Sequence, residues 1–550
     1  MTVFDLHCHP SFKSSLLNDD LNQCPTPIDF VDIQIKAPLG LGPCLEKVAG
    51  DSLDSQSSFG QIPGGSLVVA SFLAFERVYA FVEDLKRVKN LGKNVFQNMK
   101  DEKDSYFDIL TNRDVAHFLT FLSKKSGLRQ YQLVQSIADY PANPDVNTVY
   151  VVVSIEGGHN FYVQKKLLDQ EQGDHPQEII EQLKFWKRHS ADPLTAGQFP
   201  RLLYITMTHH GQNLLANHAW AIPIRFAGNT VDVGSFDPTG NGLSEVGEQF
   251  LRTALSEEAG QKRILIDVKH LGLASRKRVY EIMEKDFPTV PILATHMGVT
   301  GTSWDQPPFE RIDSPADHPQ NMVVSYQPSG GFLREIPPTD SDHSGLTSIK
   351  FNTWSINLYD EDIIRIMRSG GLIGVSMDRR ILGAVGVEPE RFSRHDFPKN
   401  WLTMEKPTLP PKGKGMLYPT KALPNQFDGN QSKVQQDLWA FCQNVIHLVL
   451  ITELAKGNAD PESAVSASID PWDHICLGSD FDGLVSAIKT CPTSEQLPHF
   501  FGQRMKATLE AMAAHLNTSP FIVNPIEIPA DVIDRLSFKN GLNFLKKHFN

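Results

Sequence analysis

The sequence predicts an α/β protein built as a (β/α)8 TIM barrel. Three observations predict it. Short β-branched runs alternate with longer segments of helical period, the alternation repeats eight times, and residues of metal-binding type close one run after another. The expected strands lie at residues 2–9, 65–75, 148–156, 201–209, 263–270, 291–296, 371–377 and 474–480. Helical period is expected over 106–125, 176–189, 244–258, 275–285, 360–369, 434–456 and 495–516. Runs such as Tyr150-Val151-Val152-Val153 suit strands buried on both faces, as parallel sheets require. A doubly wound open sheet is the alternative architecture.

At roughly 150 residues per domain a 550-residue chain suggests three or four domains. The repeat argues instead for one barrel domain over 1–550, enlarged by insertions after strands 1, 6 and 7. The last two, 301–352 and 383–432, hold seven prolines each, so they are expected as irregular excursions and not as missed helices. Following strands 6 and 7, they would flank the barrel face where active sites sit and act as lids or walls of a substrate pocket. Loop variation or an oligomer contact is the equal alternative.

Composition narrows the function. With 41% hydrophobic and 21% charged residues the chain is ordinary for a globular protein and unlike a disordered one. A formal net charge of −12 gives no support to nucleic-acid binding, which leaves a basic footprint. No apolar run approaches the ~18–20 residues that span a bilayer; residues 445–454 come nearest and contain His447. No membrane partner is therefore expected. The six cysteines include no CxxC pair, and the chain opens directly on strand-like sequence without a basic region and apolar core. A reducing, cytoplasmic setting is the expectation.

The 19 histidines are the unusual supply, and their positions matter more than their number. Asp5, His7 and His9 close the first strand, Glu156 the third, His209 and His210 the fourth, His270 the fifth, His296 the sixth, and Asp480 and Asp482 the eighth. Side chains alternate along a strand, so His7 and His9 share a face while Cys8 points away. The C-terminal ends of barrel strands converge on one mouth. Polar residues gathered there are costly unless paired or metal-bound. One such strand end is usually hydrogen-bonded structure; several together point to a metal centre. Imidazoles with a carboxylate able to bridge suit two divalent ions, expected to be zinc. Such a pair makes hydroxide available at neutral pH and polarises a carbonyl or phosphoryl group.

Several segments carry a resemblance. Asp5-Leu6-His7-Cys8-His9, Ser154-Ile155-Glu156-Gly157-Gly158-His159, Tyr204-Ile205-Thr206-Met207-Thr208-His209, Ile266-Asp267-Val268-Lys269-His270, Ile292-Leu293-Ala294-Thr295-His296, Asn357-Leu358-Tyr359-Asp360, Gly478-Ser479-Asp480-Phe481-Asp482-Gly483 and Gly541-Leu542-Asn543-Phe544-Leu545 resemble, in order, the membrane (renal) dipeptidase family of the amidohydrolase superfamily. The likeness covers the eight barrel units but not the two proline-rich excursions. It implies a (β/α)8 barrel of the metal-dependent hydrolase type and a binuclear zinc hydrolase cleaving a dipeptide or related amide. His7 and His9 would bind the first ion with Asp480, Glu156 would bridge, and His270 and His296 would hold the second. A metal-bridging hydroxide would attack the carbonyl, His209 would stabilise the oxyanion, and Asp480 would pass the proton to the leaving amine. His210 is the alternative to His209. Asp482 and His159 are expected to orient neighbours and not to ligate. Homodimerisation is implied only by analogy.

Two departures qualify this. The family's first strand carries His-x-Asp where this one carries His-x-His, the wider superfamily's pattern. The family's substrate-carboxylate arginine falls at Ile356, so Arg379 or Arg380 after the seventh strand would have to replace it, unless they are structural. Metal chemistry therefore transfers better than dipeptide specificity. A carbamylated Lys269 is a weaker alternative bridge, because Glu156 fills that place and alternation points Lys269 away from His270. Two other functions compete: a metal-dependent phosphoesterase, since Asp-Leu-His-x-His also opens such domains, and an inactive barrel serving as a binding protein.

Overall fold

The computed structural model describes residues 1–12, 55–74, 76, 104–123, 130–163, 176–220, 225–226, 229–230, 236–326, 351–384, 389–403 and 432–550, less isolated positions and short gaps. Most of the insertion after the first strand lies outside the described residues, as do 327–350 and 404–431 of the two excursions.

The strands are β1 (Phe4–Cys8), β2 (Leu67–Phe72), β3 (Gln130–Leu133), β4 (Thr148–Glu156), β5 (Leu202–Thr206), β6 (Arg225–Phe226), β7 (Asn229–Thr230), β8 (Leu265–Asp267), β9 (Leu293–Met297), β10 (Phe309–Asp313), β11 (Asn321–Tyr326), β12 (Leu372–Val375), β13 (Glu390–Ser393) and β14 (Ile475–Leu477). Eight of them pair in parallel around a ring, β1-β2-β4-β5-β8-β9-β12-β14, and the β1–β14 pairing closes it. The predicted (β/α)8 barrel is present, and closure excludes the open sheet. The valine run of β4 is buried at every position, as expected for a strand covered on both faces. β4 is also long enough to pair β3 along Thr148–Val151 before β5 takes over the same edge from Val153.

Where strands 6, 7 and 8 of the ring meet, backbone approaches backbone. A Cβ on Gly478 would lie 1.7 Å from the Thr295 carbonyl oxygen, and one on Gly374 2.0 Å from it. Only glycine fits such a contact.

The helices largely follow the predicted segments, Pro176–Ala191, Glu245–Leu255, Leu273–Asp286, Asp360–Arg368 and Ser432–Ala455, while Asn540–His548 is a helix that no predicted segment covered. Three expectations need correction. Segment 106–125 is not one regular α-helix: a π-helical stretch, Ile109–Val115, interrupts it, and residues beyond 123 lie outside the described set. Segment 495–516 is broken beside Gly502 into Leu497–Phe500 and Gln503–Leu516. Asp437–Ala455 is long and apolar enough to cross a membrane, contrary to the reading that no run approached that length, yet 89% of it is buried within the fold. Inside that helix His447 Nε2 meets Asp360 Oδ1 at 2.8 Å, which makes its one basic position part of the packing.

The excursions are less irregular than their prolines suggest. β10 and β11 come from the first and β13 from the second, and they form one antiparallel sheet ordered β10-β11-β13. Asp237, in the loop region after β5, ties this sheet to the barrel: it accepts from Asn321 Nδ2 at 2.7 Å and pairs with Arg391 at 2.8 Å. Beside it, Trp220, Trp354, Ile356 and Ile381 form an apolar cluster separate from the main core, against which Tyr326 of β11 packs. The excursion sheet therefore packs against this cluster and is held to the loops of the barrel through Asp237.

Candidate metal centre

The first support for the site is a polar layer inside the barrel. Asp267, at the end of β8, accepts from Thr206 Oγ1 at 2.7 Å, Thr295 Oγ1 at 2.6 Å, and the Thr295 and Lys269 amides at 3.0 and 3.1 Å. Asp5 accepts from the Ser479 hydroxyl at 2.5 Å and the Ser479 amide at 2.9 Å. Burial raises the Asp5 carboxyl to about 6 against these bonds. These donors satisfy buried carboxylates that would otherwise be costly.

Above that layer His7, His9, Glu156, His270, His296 and Asp480 converge. Glu156 Oε2 lies 3.1 Å from His9 Nε2, while Oε1 lies 3.1 Å from His270 Nε2, 3.4 Å from His296 Nε2 and 3.6 Å from His7 Nε2. Asp480 Oδ1 lies 3.5 Å from His9 Nε2 and 3.8 Å from His7 Nε2. His7, His9 and Glu156 form one cluster compact enough to hold an ion, His7, His296 and Asp480 another, and Glu156, His270 and His296 a third. The carboxylate of Glu156 belongs to two of these and faces both histidine pairs.

The hydrogen bonds behind the rings fix what they present. Tyr204 donates its hydroxyl proton to the Leu6 carbonyl at 3.0 Å, so at 2.7 Å it must accept from His7 Nδ1–H. His9 Nδ1 faces the Ser71 carbonyl at 3.0 Å and can only donate to it. Thr295 donates to Asp267 and therefore accepts from His296 Nδ1–H at 2.9 Å. In their neutral forms all three imidazoles then turn Nε2 lone pairs into the site. His7 and His9 do so 3.0 Å apart, and His296 stands 3.3 Å from His270 Nε2. Lone pairs held that close need a shared proton or a metal cation between or beside them. Imidazole nitrogens around a shared carboxylate are a donor set that zinc accepts, so the residues present fit a divalent metal.

The charges agree. Burial would lower His9, but the Asp480 and Glu156 carboxylates raise it to about 10. Burial would raise Glu156, yet His7 and His209 hold its carboxyl well below the usual range. Burial dominates at His270, which falls to about 3, and drives His296 and His210 well below ordinary imidazole. The carboxylates thus make the pocket cation-seeking, and His270 and His296 stay unprotonated to ligate.

Past the strand ends the backbone turns left-handed. His270, Asp480 and Asp482 have φ values of 64°, 60° and 67°. Such residues outside glycine are uncommon and gather at functional sites. Alternation stops there: Asp482 does not share the face of Asp480 but accepts from the amides of Gln56 and Ser57, both at 2.8 Å. His159 Nε2 donates to the Ala74 carbonyl, 2.8 Å away, outside the metal-capable clusters.

His209 stands at the rim, its Nε2 3.8 Å from Glu156 Oε2, with the His210 ring stacked on it at 3.8 Å. Its other nitrogen makes a contact that sequence reasoning missed: Glu76 Oε2 lies 2.7 Å from His209 Nδ1, and Oε1 accepts from the Gly211 amide at 2.8 Å. Glu76 lies directly after the expected second strand, 65–75, so its strand-end position was a signal that the sequence reading passed over. His209, His210 and His270 form a further compact cluster.

The two arginines after the seventh strand are engaged in ion pairs, the structural alternative. Arg379 pairs with Asp437 at 3.0 Å, and Arg380 pairs with Asp378, Nε to Oδ1 at 3.0 Å. Ile356 is buried in the apolar cluster with Trp354. Lys269, which alternation was expected to turn aside, is 1% exposed, and its Nζ has no hydrogen-bond partner among the described residues. Strand β8 ends at Asp267, so the parity argument does not reach residue 269. Burial lowers this amine to about 8 against the pull of Asp480, Asp267, Glu156 and Asp378.

No family model and no curated protein sequence matches the chain. Fifteen chains of solved structures do. Among them is a metallo peptidase from Rhodobacter sphaeroides bound to a phosphinate mimic of the dipeptide L-Ala-D-Ala, 13% identical, TM-score 0.43, covering 100% of this chain and 99% of that one. A probable dipeptidase from Pseudomonas aeruginosa is 13% identical at TM-score 0.40, over 99% of this chain and 94% of its own. An amidohydrolase from the same organism is 13% identical at TM-score 0.37, over 89% and 97%.

Proposed function

We propose that the chain is a metal-dependent hydrolase that cleaves the amide bond of a small, dipeptide-like substrate and works with two divalent ions, zinc by its donor set. One observation carries the reading: the Glu156 carboxylate faces His9 on one side and His270 on the other at 3.1 Å each, within rings whose Nε2 lone pairs turn inward. His7, His9 and Asp480 would hold one ion and His270 and His296 the other, with Glu156 shared. Ions bound there would supply Lewis acidity and activate water at neutral pH.

The chain's own groups do the rest. His209, fixed through Nδ1 by Glu76, turns Nε2 toward Glu156 and can donate to the oxygen of a polarised carbonyl. Asp480 Oδ1, beside His9 and partly open to solvent, is placed to take a proton from water and return it to the leaving amine.

Protein loaded with zinc is expected to hydrolyse members of a dipeptide panel, to lose that activity in chelator and to regain it on adding zinc. Hydrolysis of p-nitrophenyl phosphate with no peptide turnover would establish the phosphoesterase instead. Failure to bind one ion per chain would leave only a binding protein.

Glu76 gives a finer prediction. Glu76→Gln keeps the shape but weakens the bond that orients His209, so kcat should fall about 10–100-fold, as for other residues that orient metal-site groups. KM and bound metal should stay within about twofold, because Glu76 is not among the metal-capable clusters. An unchanged kcat in steady-state assays removes His209 from the role assigned to it.

A further inference from the structure

His209, His210 and His270 gather a further set of imidazoles beside the proposed pair of ions. One nitrogen from each lies within 4.8 Å of the other two. The His210 ring stacks on His209 with centroids 3.8 Å apart, and both rings stand edge-on to His270, at 4.8 Å and 5.1 Å. Of the three, the two-ion arrangement uses only His270 as a ligand.

Two features mark this set as more than packing. A histidine that binds metal almost always passes its other N–H to an acceptor, often a carboxylate. His209 has that backing. Glu76 Oε2 lies 2.7 Å from its Nδ1, and Oε1 accepts from the Gly211 amide at 2.8 Å. One carboxylate thus grips the chain on both sides of His210 and fixes where that ring stands. His270 shows the reverse. His7, His9 and His296 each have an acceptor for Nδ1–H, respectively Tyr204, the Ser71 carbonyl and Thr295. His270 Nε2 faces Glu156 and His296, but its Nδ1 is buried with no hydrogen-bond partner among the described residues. A buried N–H without an acceptor is costly, and a cation in place of its proton removes that cost.

We propose that His209 Nε2, His210 and His270 Nδ1 form a third, inhibitory site for a divalent cation that favours imidazole, such as zinc. This rests on the hydrolase reading above and adds regulation to it. The ion takes the Nε2 lone pair of His209, so that nitrogen can no longer donate to the carbonyl oxygen of the substrate. At His270 it replaces the Nδ1 proton, which leaves to water, and the ring then bridges this ion and its neighbour. Three imidazoles and one water make the four-coordinate set that zinc accepts. His209 is 8% exposed and His210 half-buried, so the site faces the solvent side of the mouth. With no carboxylate ligand of its own, it should fill after the two inner positions and empty first.

The test titrates metal-free full chain with zinc by calorimetry and follows hydrolysis of the dipeptide panel over the same range. The wild type is expected to bind two ions tightly and a third more weakly. Activity should rise over the first two and fall about 100-fold as the third binds, the scale of losing one oxyanion donor. His210→Phe keeps a stacking ring without a ligand, so it should bind two ions, lack the third and lose the inhibition. Anomalous scattering at the zinc edge, from crystals soaked in excess zinc, should place the third ion among His209, His210 and His270. That position decides the matter if His210→Phe does not fold. No inhibition by excess zinc, a third ion placed elsewhere, or inhibition retained in His210→Phe overturns the proposal and leaves the hydrolase reading standing. Zinc binding without hydrolysis at any level overturns the hydrolase reading and the inhibitory role with it. Fewer than one ion per chain overturns both.

Discussion

Glu156→Gln is expected to cost the protein its paired metal binding and about three orders of magnitude in activity. The side chain keeps its length, so the loss is one of charge and of a second oxygen. In the native site the two carboxylate oxygens face different histidines, Oε2 toward His9 and Oε1 toward His270, each at 3.1 Å. Glutamine places an NH2 against one of them, and that group can donate to an Nε2 lone pair but cannot ligate a cation. Metal chemistry in such sites contributes several kcal/mol to the transition state, and each ~1.4 kcal/mol is about tenfold in rate. The metal-free fold should survive, since a donor replaces an anion among lone pairs. Plasma mass spectrometry of zinc, steady-state assays and the thermal midpoint of metal-free protein check the three parts. A variant that still held two ions per chain and turned over at the native rate would remove Glu156 from the centre of the site.

The parts of this site that were legible in the sequence share one geometry. His7 and His9 on β1 and Glu156 on β4 lie at the ends of regular strands, where alternation and the convergence of barrel strands place side chains without any long-range information. Beyond Asp267 and Leu477 the strands have ended, and left-handed residues reset the direction of each side chain. Parity therefore says nothing of where Lys269, Asp480 and Asp482 point. Glu76 carried the same strand-end signal but stood alone there, and its partner His209, 133 residues away, meets it only once the barrel closes. The excursion sheet failed similarly. Prolines report local breaks faithfully, but β11 finds β13 across helix Asp360–Arg368 and strand 7, and no local pattern encodes that pairing.

The other large effect is expected far from the metal, at Arg276. Its side chain is fully buried, 3.0 Å from the equally buried Asp362, and its Nη1 donates to the Ser355 carbonyl at 2.6 Å. Arg276 belongs to helix Leu273–Asp286, and Asp362 opens helix Asp360–Arg368, where it also accepts from Tyr280 Oη and the Tyr359 amide, both at 2.8 Å. The pair thus pins two neighbouring helices together and holds the segment carrying Ile356 and Asn357 against the mouth. Replacing such a pair with apolar residues is often harmless, but removing one partner strands the other charge, at about 3–5 kcal/mol. Arg276→Met should therefore lower stability by that amount, read as a fall in the thermal midpoint of metal-loaded protein. Adding Asp362→Asn removes the stranded charge while keeping an acceptor for the Tyr359 amide, so the double variant should recover part of the loss. If the double variant is instead less stable than Arg276→Met by the full cost of Asp362→Asn alone, the two side chains act independently, and the ion pair is not what joins these helices.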